Sequence, residues 1–289
     1  MANLSKTFVA GDDFLTETML TGLARSEDLN KYWIVAQSEQ RCEELRRKYN
    51  IKATTDLNFV SDVPVVILMF KFENAKDTLS KLADKISKDT VIISIVPGIA
   101  LIFIQNFFPN NQIVRFTLNP SIISGEGLAA YVAGKNATDE TKSLARDMLS
   151  SFGKIVEVGN EDEFEKVRRF IFTNTFLSYV IVRSMIDAGV KQGFSTEQAG
   201  DIVDQILKGA SHTLIKFQFE GGEMLKDGLR NTEFTNRAIG LVKEYGIYDS
   251  IERYLTIKGA KSIFKAHSDD NDETGLNLNY NWFNKFTGD

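Results

Sequence analysis

The sequence predicts an α/β protein, with a parallel sheet and its flanking helices in residues 1–160 and an all-helical part in residues 161–266. Short apolar strands rich in β-branched residues alternate with helical patterns from residue 7 to residue 159. Residues 65–70 form an uninterrupted apolar run, as expected for a parallel strand that is buried on both faces. Strand patterns stop after Gly159. The first part is therefore typical of a Rossmann-like doubly wound sheet.

The elements of this first part follow one another at short intervals. Strands are predicted at residues 7–10, 32–36, 51–55, 65–70, 91–96, 112–118, 128–133 and 154–158, and helices at 14–23, 38–49, 74–86, 99–108 and 138–152. Ser38 and Thr138 stand where helix N-caps are expected. The strand at 91–96, the helix at 99–108 and the strand at 112–118 predict a parallel βαβ unit. Ligands collect at the carboxyl ends of such strands, which here are Val96-Pro97-Gly98 and Leu118-Asn119-Pro120.

The second part is predicted to contain helices at residues 164–172, 174–190, 196–219, 235–245 and 248–264, with a break at Gly221-Gly222. The helix at 174–190 is apolar on nearly every side, which indicates burial. Because roughly 130 residues are few to surround such a helix, the sequence predicts a subunit interface, in a homodimer or a higher ring. The tail at 267–289 is rich in Asp and Asn and is expected to be ordered only where Trp282 and Phe283 can dock.

Composition excludes several classes of protein. Of 289 residues, 43% are hydrophobic and 25% charged, as in a globular protein, and the net charge of −5 argues against a nucleic-acid partner. The single cysteine, Cys42, excludes an internal disulfide, and two histidines leave little material for a metal site. The longest apolar run, 91–104, is shorter than the roughly 20 residues of a membrane span. We therefore expect a soluble cytoplasmic protein without a membrane or nucleic-acid partner.

Several short motifs resemble those of the pyrroline-5-carboxylate reductase family, in order and spacing, over about residues 5–265. The matching residues are 92–95, Gly98-Ile99, Val114-Arg115, Asn119, Gly125-Glu126-Gly127, 153–157 and 187–190. The resemblance implies a Rossmann domain followed by a helical domain whose long helices interlock in a dimer. It also implies transfer of a hydride from NAD(P)H to the C=N carbon of pyrroline-5-carboxylate, the step that gives proline.

The resemblance places the dinucleotide turn, Gly-x-Gly-x-Met in the family, on Gly11-Asp12-Asp13-Phe14-Leu15. A glycine is needed where the backbone approaches the pyrophosphate. The first glycine is present, but Asp13 replaces the second. Two like charges ~4 Å apart repel by roughly 4 kcal/mol at an effective dielectric constant of 20. The sequence therefore predicts weakened or lost dinucleotide binding, and the alternative role for Asp12 or Asp13 is that of a helix N-cap.

The other cofactor positions that the resemblance implies leave the choice between NAD and NADP open. A carboxylate after the second strand favours NAD and a nearby Arg favours NADP, whereas this chain has Gln37, where Arg is usual, and then Ser38. Asn119 could instead be only a turn residue before Pro120. The cofactor-binding candidates beyond the turn are Gln37, Ser38, Met69, Phe70, Lys71, Val96, Gly98 and Asn119.

The substrate motifs of the family are altered more strongly. The signature Ser-Gly-Ser-Gly-Pro-Ala-Tyr falls on residues 171–177, where Phe172 and Phe176 would fill space. Thr173, Asn174 and Thr175 are the substrate-binding candidates, although the two threonines could instead be helix caps. The second signature falls near residues 231–235, where Thr235 is the candidate proton donor to the substrate nitrogen or, alternatively, another cap.

Two functions remain open from the sequence. One is a reductase of this family with impaired or altered activity, on pyrroline-5-carboxylate or a related small molecule. The other is a non-catalytic homologue that acts as an oligomeric binding or scaffold protein. A family fold by itself does not decide between them.

Overall fold

The computed structural model describes residues 6–11, 13–25, 29–220 and 233–256. The chain divides into two compact units, Met1–Phe176 and Leu177–Asp289. Asp12, Gly221-Gly222 and the tail at 267–289 lie outside the described residues.

The first unit contains an eight-stranded sheet of order β3-β2-β1-β4-β5-β6-β7-β8. The strands are β1 Lys6–Ala10, β2 Tyr32–Val35, β3 Lys52–Thr54, β4 Val65–Met69, β5 Val91–Ser94, β6 Ile113–Leu118, β7 Gly127–Ala133 and β8 Gly153–Glu157. Strands β1 to β6 are mutually parallel, β7 is antiparallel to β6, and β8 is parallel to β7. The predicted doubly wound sheet, including the βαβ unit through β5 and β6, is confirmed.

Five helices of the first unit connect these strands. They are α1 Asp13–Leu23, α2 Glu39–Tyr49, α3 Ala75–Ala83, α4 Leu101–Phe107 and α5 Asp139–Ser150. The Ser38 hydroxyl accepts a hydrogen bond from the Arg41 amide at 3.2 Å, and the Thr138 hydroxyl accepts one from the Thr141 amide at 3.3 Å. Both predicted N-caps are confirmed, because each satisfies an amide of the first helical turn.

Each face of the sheet carries its own hydrophobic cluster. Phe8, Ile67 and Val114 pack with side chains of α1, α2 and α5, whereas Val66 and Ile92 pack on the other face with side chains of α3 and α4. All five residues of β4 are buried, so the uninterrupted apolar run is a central strand, as predicted.

A single helix, α6 Glu161–Lys191, runs through the region where the sequence predicted two. The expectation that Thr173 and Thr175 cap a second helix is wrong. The Thr173 hydroxyl donates to the carbonyl of Arg169 at 2.8 Å, and the Asn174 amide donates to that of Phe170 at 2.8 Å. Such bonds to the preceding turn satisfy the side chains without ending the helix.

The helices that follow are α7 Thr196–Glu220, α8 Glu233–Glu244 and α9 Ile247–Leu255. Among the described helices, none is long and apolar enough to cross a membrane. Within the same ranges no three His, Cys, Asp or Glu side chains form a group that could hold a metal ion.

Candidate active site

The carboxyl ends of the parallel strands β1 to β6 define one edge of the sheet, here called the carboxyl edge. Predicted cofactor residues follow five of these six strands: Gly11 after β1, Gln37-Ser38 after β2, Phe70-Lys71 after β4, Val96 to Gly98 after β5, and Asn119 after β6. The strand order reverses between β1 and β4, and doubly wound sheets bind ligands at such a switch point. The predicted cofactor positions therefore come together at this edge.

Gly11 lies where a side chain cannot fit. Its amide donates to the carbonyl of Met69 at 2.8 Å. A Cβ atom added at Gly11 would lie 2.8 Å from Cβ of Phe70 and 2.9 Å from Nε2 of Gln37. The first glycine of the turn is thus required by close packing between neighbouring strands, and it leaves bare backbone at the switch point.

Asp13 is the first residue of α1, so it lies inside the first turn rather than at the cap position before it. Phe14 is 56% exposed, while Leu15 packs against the hydrophobic cluster. The amino end of a helix attracts anions, because its first amides lack partners within the helix.

Gly98 adopts a left-handed backbone conformation with φ of +80°, which an L-residue rarely accepts. A Cβ atom there would lie 3.3 Å from the ring of Phe72, which is 57% exposed. The preceding Val96 is buried. The loop after β5 is therefore shaped by a glycine, with the exposed ring of Phe72 beside it.

Asn119 joins three parts of the structure. Its backbone amide donates to the carbonyl of Leu128 at 3.1 Å, and its Oδ1 accepts from the amide of Leu128 at 2.9 Å. Its Nδ2 donates to the hydroxyl of Thr175 at 3.3 Å. Asn119 does precede Pro120 in a turn, but its side chain also ties the β6–β7 connection to α6.

The three substrate candidates on α6 are differently placed. Thr173 is buried and bonded within the helix, Asn174 is bonded to the carbonyl of Phe170, and Thr175 is buried against Asn119. The rings of Phe172 and Phe176 lie 4.7 Å apart. Thr175 thus has a hydrogen bond to Asn119, a residue of the carboxyl edge.

Thr235 is the third residue of α8 as the structure describes that helix. Its side chain lies outside the described residues.

A buried charge network beside the site was not predicted from the sequence. The Arg115 guanidinium on β6 is almost wholly buried and forms ion pairs with Glu161 and, at 2.8 Å, with Glu165. It also lies 4.6 Å from the ring centre of Phe164. Burial alone would raise the pKa of Glu165, but hydrogen bonds and charges from Arg168 and Arg115 outweigh it and hold that pKa below its ordinary value.

The sequence does contain a signal of this network. It is an arginine inside an apolar strand, together with two glutamates four residues apart at the start of a later helix. The network ties the first turns of α6 to β6, the strand that precedes Asn119.

The strand order and the glycine after β1 define the class of fold, a Rossmann-type α/β domain. Residues 11–98 match the family model described as NADP oxidoreductase, coenzyme F420-dependent. The chain is 26% identical over 279 residues to pyrroline-5-carboxylate reductase 1 of Bacillus subtilis, covering 94% of this chain and 93% of that one. It is 25% identical over 252 residues to the enzyme of Corynebacterium melassecola, covering 85% and 93%.

Solved structures are similar over the same length. Plasmodium falciparum pyrroline carboxylate reductase with NADP bound has a TM-score of 0.77 at 20% identity, covering 92% of this chain and 98% of that one. The enzyme of Coxiella burnetii has a TM-score of 0.72 at 20% identity, covering 89% and 97%. The chain is thus similar over most of its length to pyrroline-5-carboxylate reductases, which agrees with the resemblance of its motifs, and the solved structures show that it shares their fold.

Proposed function

We propose that this protein is an NAD(P)H-dependent reductase that acts on the C=N bond of a small substrate, with activity on pyrroline-5-carboxylate well below that of an intact family member. The observation that carries the proposal is the packing of Gly11. A Cβ there would collide with Phe70 and Gln37, so only a glycine fits at this position of the switch point, as in the first position of a dinucleotide turn.

The residues that would hold the cofactor are those at the carboxyl edge: Gly11, Asp13, Phe14, Gln37, Ser38, Phe70, Lys71, Val96, Gly98 and Asn119. When bound, the reduced nicotinamide would supply the hydride for the substrate carbon. Asn119 is suited to an orienting role, because both ends of its amide are fixed by Leu128 and Thr175. Thr235 stays the proposed proton donor.

Reduced activity on pyrroline-5-carboxylate is supported by α6. The helix is unbroken through residues 171–177, so the backbone amides in this region are used by the helix and are not available to grip a substrate carboxylate. Phe172 and Phe176 occupy two of these positions as a contacting aromatic pair. A substrate carboxylate would therefore lose the glycine backbone that the family motif provides.

The decisive experiment follows NADH and NADPH oxidation with pyrroline-5-carboxylate, beside an intact reductase. We expect a rate at least a thousandfold lower, equivalent to about 4 kcal/mol of lost transition-state stabilisation. Measurable oxidation of NADH or NADPH that depends on pyrroline-5-carboxylate supports the proposal that the protein is a reductase. A rate within tenfold of that of the intact enzyme would show that other residues of this chain bind the substrate carboxylate.

The second candidate function is a non-catalytic, oligomeric binding or scaffold protein. It is favoured by the position of Asp13, whose carboxylate stands on the first residue of the helix that would receive the pyrophosphate. Neither dinucleotide binding at millimolar concentration nor turnover would be detected in that case. Calorimetry with NADH and NADPH therefore separates the two candidates.

A further inference from the structure

We propose that Gln37 and the carboxylates around Arg41 select the dinucleotide whose adenosine ribose carries a free 2′-hydroxyl, NAD(H), over the 2′-phosphorylated NADP(H). The inference rests on the proposed function, because it concerns the ribose end of the same cofactor site.

Gln37 lies at the position from which a ribose is read. It follows β2 at the carboxyl edge and is exposed. Its Nε2 is 2.9 Å from the point that a Cβ of Gly11 would occupy, so the amide lies beside the bare turn. In doubly wound sheets the residue at the end of the second strand contacts the ribose 2′-oxygen. An amide can both donate to and accept from a hydroxyl, but it brings no charge to a phosphate.

Arg41 is the arginine nearest to this position in the chain, and its charge is already engaged. Its Nη2 pairs with Glu17 at 2.8 Å and its Nη1 with Glu44 at 3.0 Å. Its side chain is only 19% exposed. To neutralise a 2′-phosphate, Arg41 would have to leave both carboxylates.

Glu17 holds Arg41 in this arrangement while it also receives two further donors. Lys48 pairs with Glu17 at 2.5 Å, and the Tyr49 hydroxyl donates to the same carboxylate. Burial would raise the pKa of Glu17, but these hydrogen bonds, together with that from Arg41, lower it below the ordinary value. Glu17 is therefore ionised at neutral pH.

The remaining charges at the amino end of α2 also oppose a phosphate. Glu39 is its first residue and pairs with Arg46 at 2.6 Å, so a second arginine is engaged as well. The helix dipole favours an anion by about half a charge. However, the Ser38 hydroxyl already caps the Arg41 amide, and Glu39, Glu43 and Glu44 lie in the first two turns. A 2′-phosphate with a charge of about −2 would therefore have to compete with these carboxylates for Arg41 and Arg46.

The test is calorimetric titration of the full chain with NADH and NADPH, and with the fragment pair 5′-AMP and 2′,5′-ADP, which differ only in the 2′-phosphate. We expect NADH to bind at least tenfold more tightly than NADPH, and the fragments to show the same order. Any repulsion from Asp13 acts on both members of each pair and cancels in the ratio.

Three variants locate the effect. Gln37→Arg should move the affinity ratio at least tenfold toward NADPH, and Glu17→Gln should raise the affinity for NADPH more than that for NADH by releasing Arg41. Gln192→Arg adds the same charge at an exposed position far along the chain and should leave the ratio unchanged.

Equal affinities, or tighter binding of NADPH by the unaltered protein, would overturn the inference while leaving the reductase proposal intact. A failure of both dinucleotides to bind would overturn the proposed function, and the inference with it. Denaturation midpoints of Gln37→Arg and Gln192→Arg should match that of the unaltered protein, since both residues are exposed.

Discussion

The side-chain amide of Asn119 donates a hydrogen bond to the hydroxyl of Thr175 across 56 positions of the sequence. One residue belongs to the predicted cofactor set and the other to the predicted substrate set. The bond places the end of β6 against the interior of α6, and Asn119 also pairs with Leu128 through its Oδ1. Substitution of Asn119 therefore removes side-chain hydrogen bonds to both Thr175 and Leu128, whereas substitution of Thr175 removes the bond to Asn119.

Substitutions of this pair should differ in their effect on the free energy of unfolding. Thr175→Val keeps the volume and removes one hydrogen bond, so a loss of about 1 kcal/mol is expected. Asn119→Ala also leaves the Leu128 amide without its side-chain acceptor and should cost about 2 kcal/mol or more. Urea denaturation measures both, with Ser184→Ala on the exposed face of α6 as a neutral control. Equal losses for the pair would contradict this reading of Asn119.

The charge of Asp13 should be the main obstacle to dinucleotide binding. We expect the unaltered protein to bind NADH and NADPH more weakly than about 100 μM, and Asp13→Gly and Asp13→Asn to tighten binding by a decade or more. Asp139 is the first residue of α5 and offers a matched control, since Asp139→Asn removes the same charge from a different helix. Calorimetry that finds tight binding by the unaltered protein would refute the prediction.

The buried pairs of Arg115 should matter more for stability than exposed pairs. Arg115→Met leaves Glu161 and Glu165 without their shared cation, and a loss of about 3–5 kcal/mol is expected. Combining it with Glu161→Gln and Glu165→Gln should recover more than half of that loss. Arg146→Met, at an exposed pair with Glu157, should cost less than about 1 kcal/mol. Similar losses for the two methionine variants would argue against the network.

The same network predicts a pH dependence. Because the pKa of Glu165 is lower in the folded chain than in the unfolded one, its contribution is complete above the ordinary glutamate value of about 4.3. It is lost as the pH falls through the lower folded value. The triple variant should therefore lose less stability than the unaltered protein between about pH 7 and about pH 3. Parallel stability curves for the two proteins would be the contrary result.

Gly153 should not tolerate alanine. Its φ is +133°, and a Cβ atom there would lie 2.2 Å from the carbonyl oxygen of Gly127 on the paired strand. Gly153→Ala should destabilise the protein by at least about 3 kcal/mol, through backbone strain and disturbed strand pairing. Gly125 also has a positive φ of +78°, but it faces only the mobile end of Arg25, so Gly125→Ala should cost about 1–2 kcal/mol. Thermal unfolding of the two variants compares them directly.

A homodimer through residues 174–190 of α6 remains our proposal, and we extend the proposed interface to α7. Side chains exposed in the single chain include Val180, Val190, Ile202, Ile206, Leu214 and Ile215. Burial of such apolar surface drives association. Sedimentation at micromolar concentration should therefore give a species heavier than the 32.5 kDa chain. Ile206→Glu should shift it toward the monomer, whereas Gln205→Glu, at the neighbouring exposed position, should not.

The strands and caps of the first unit could be predicted because their signals are local. A run of apolar residues and a serine before a helix depend on near neighbours alone. The single long α6 was missed because Thr173 was read as a boundary, although a threonine can bond back to the preceding turn. The reversal of β7 was not predicted either, although the connection from Leu118 to Gly127 is short for a parallel crossover.

The sequence predicts which residues belong to the candidate site, but it does not predict which of their side chains contact one another. The constraint on Gly11 comes from Phe70 and Gln37, which belong to neighbouring strands of the sheet. Likewise, the pairing of Arg115 with Glu161 spans 46 positions. Such contacts depend on strand order and register, which a single sequence does not reveal.

The reversal of β7 has a consequence for the order of folding. Strands β6 and β7 are joined by a short connection, and β8 follows after α5, so these three strands pair with near neighbours in the chain. By contrast, β1 pairs with β4 only after β2, α2 and β3 have intervened. Closing a shorter loop costs less entropy, and local contacts form faster. We expect pulse-labelled hydrogen exchange during refolding to protect the amides of Phe116 and Tyr131 before that of Phe8, and earlier protection of Phe8 would exclude this order.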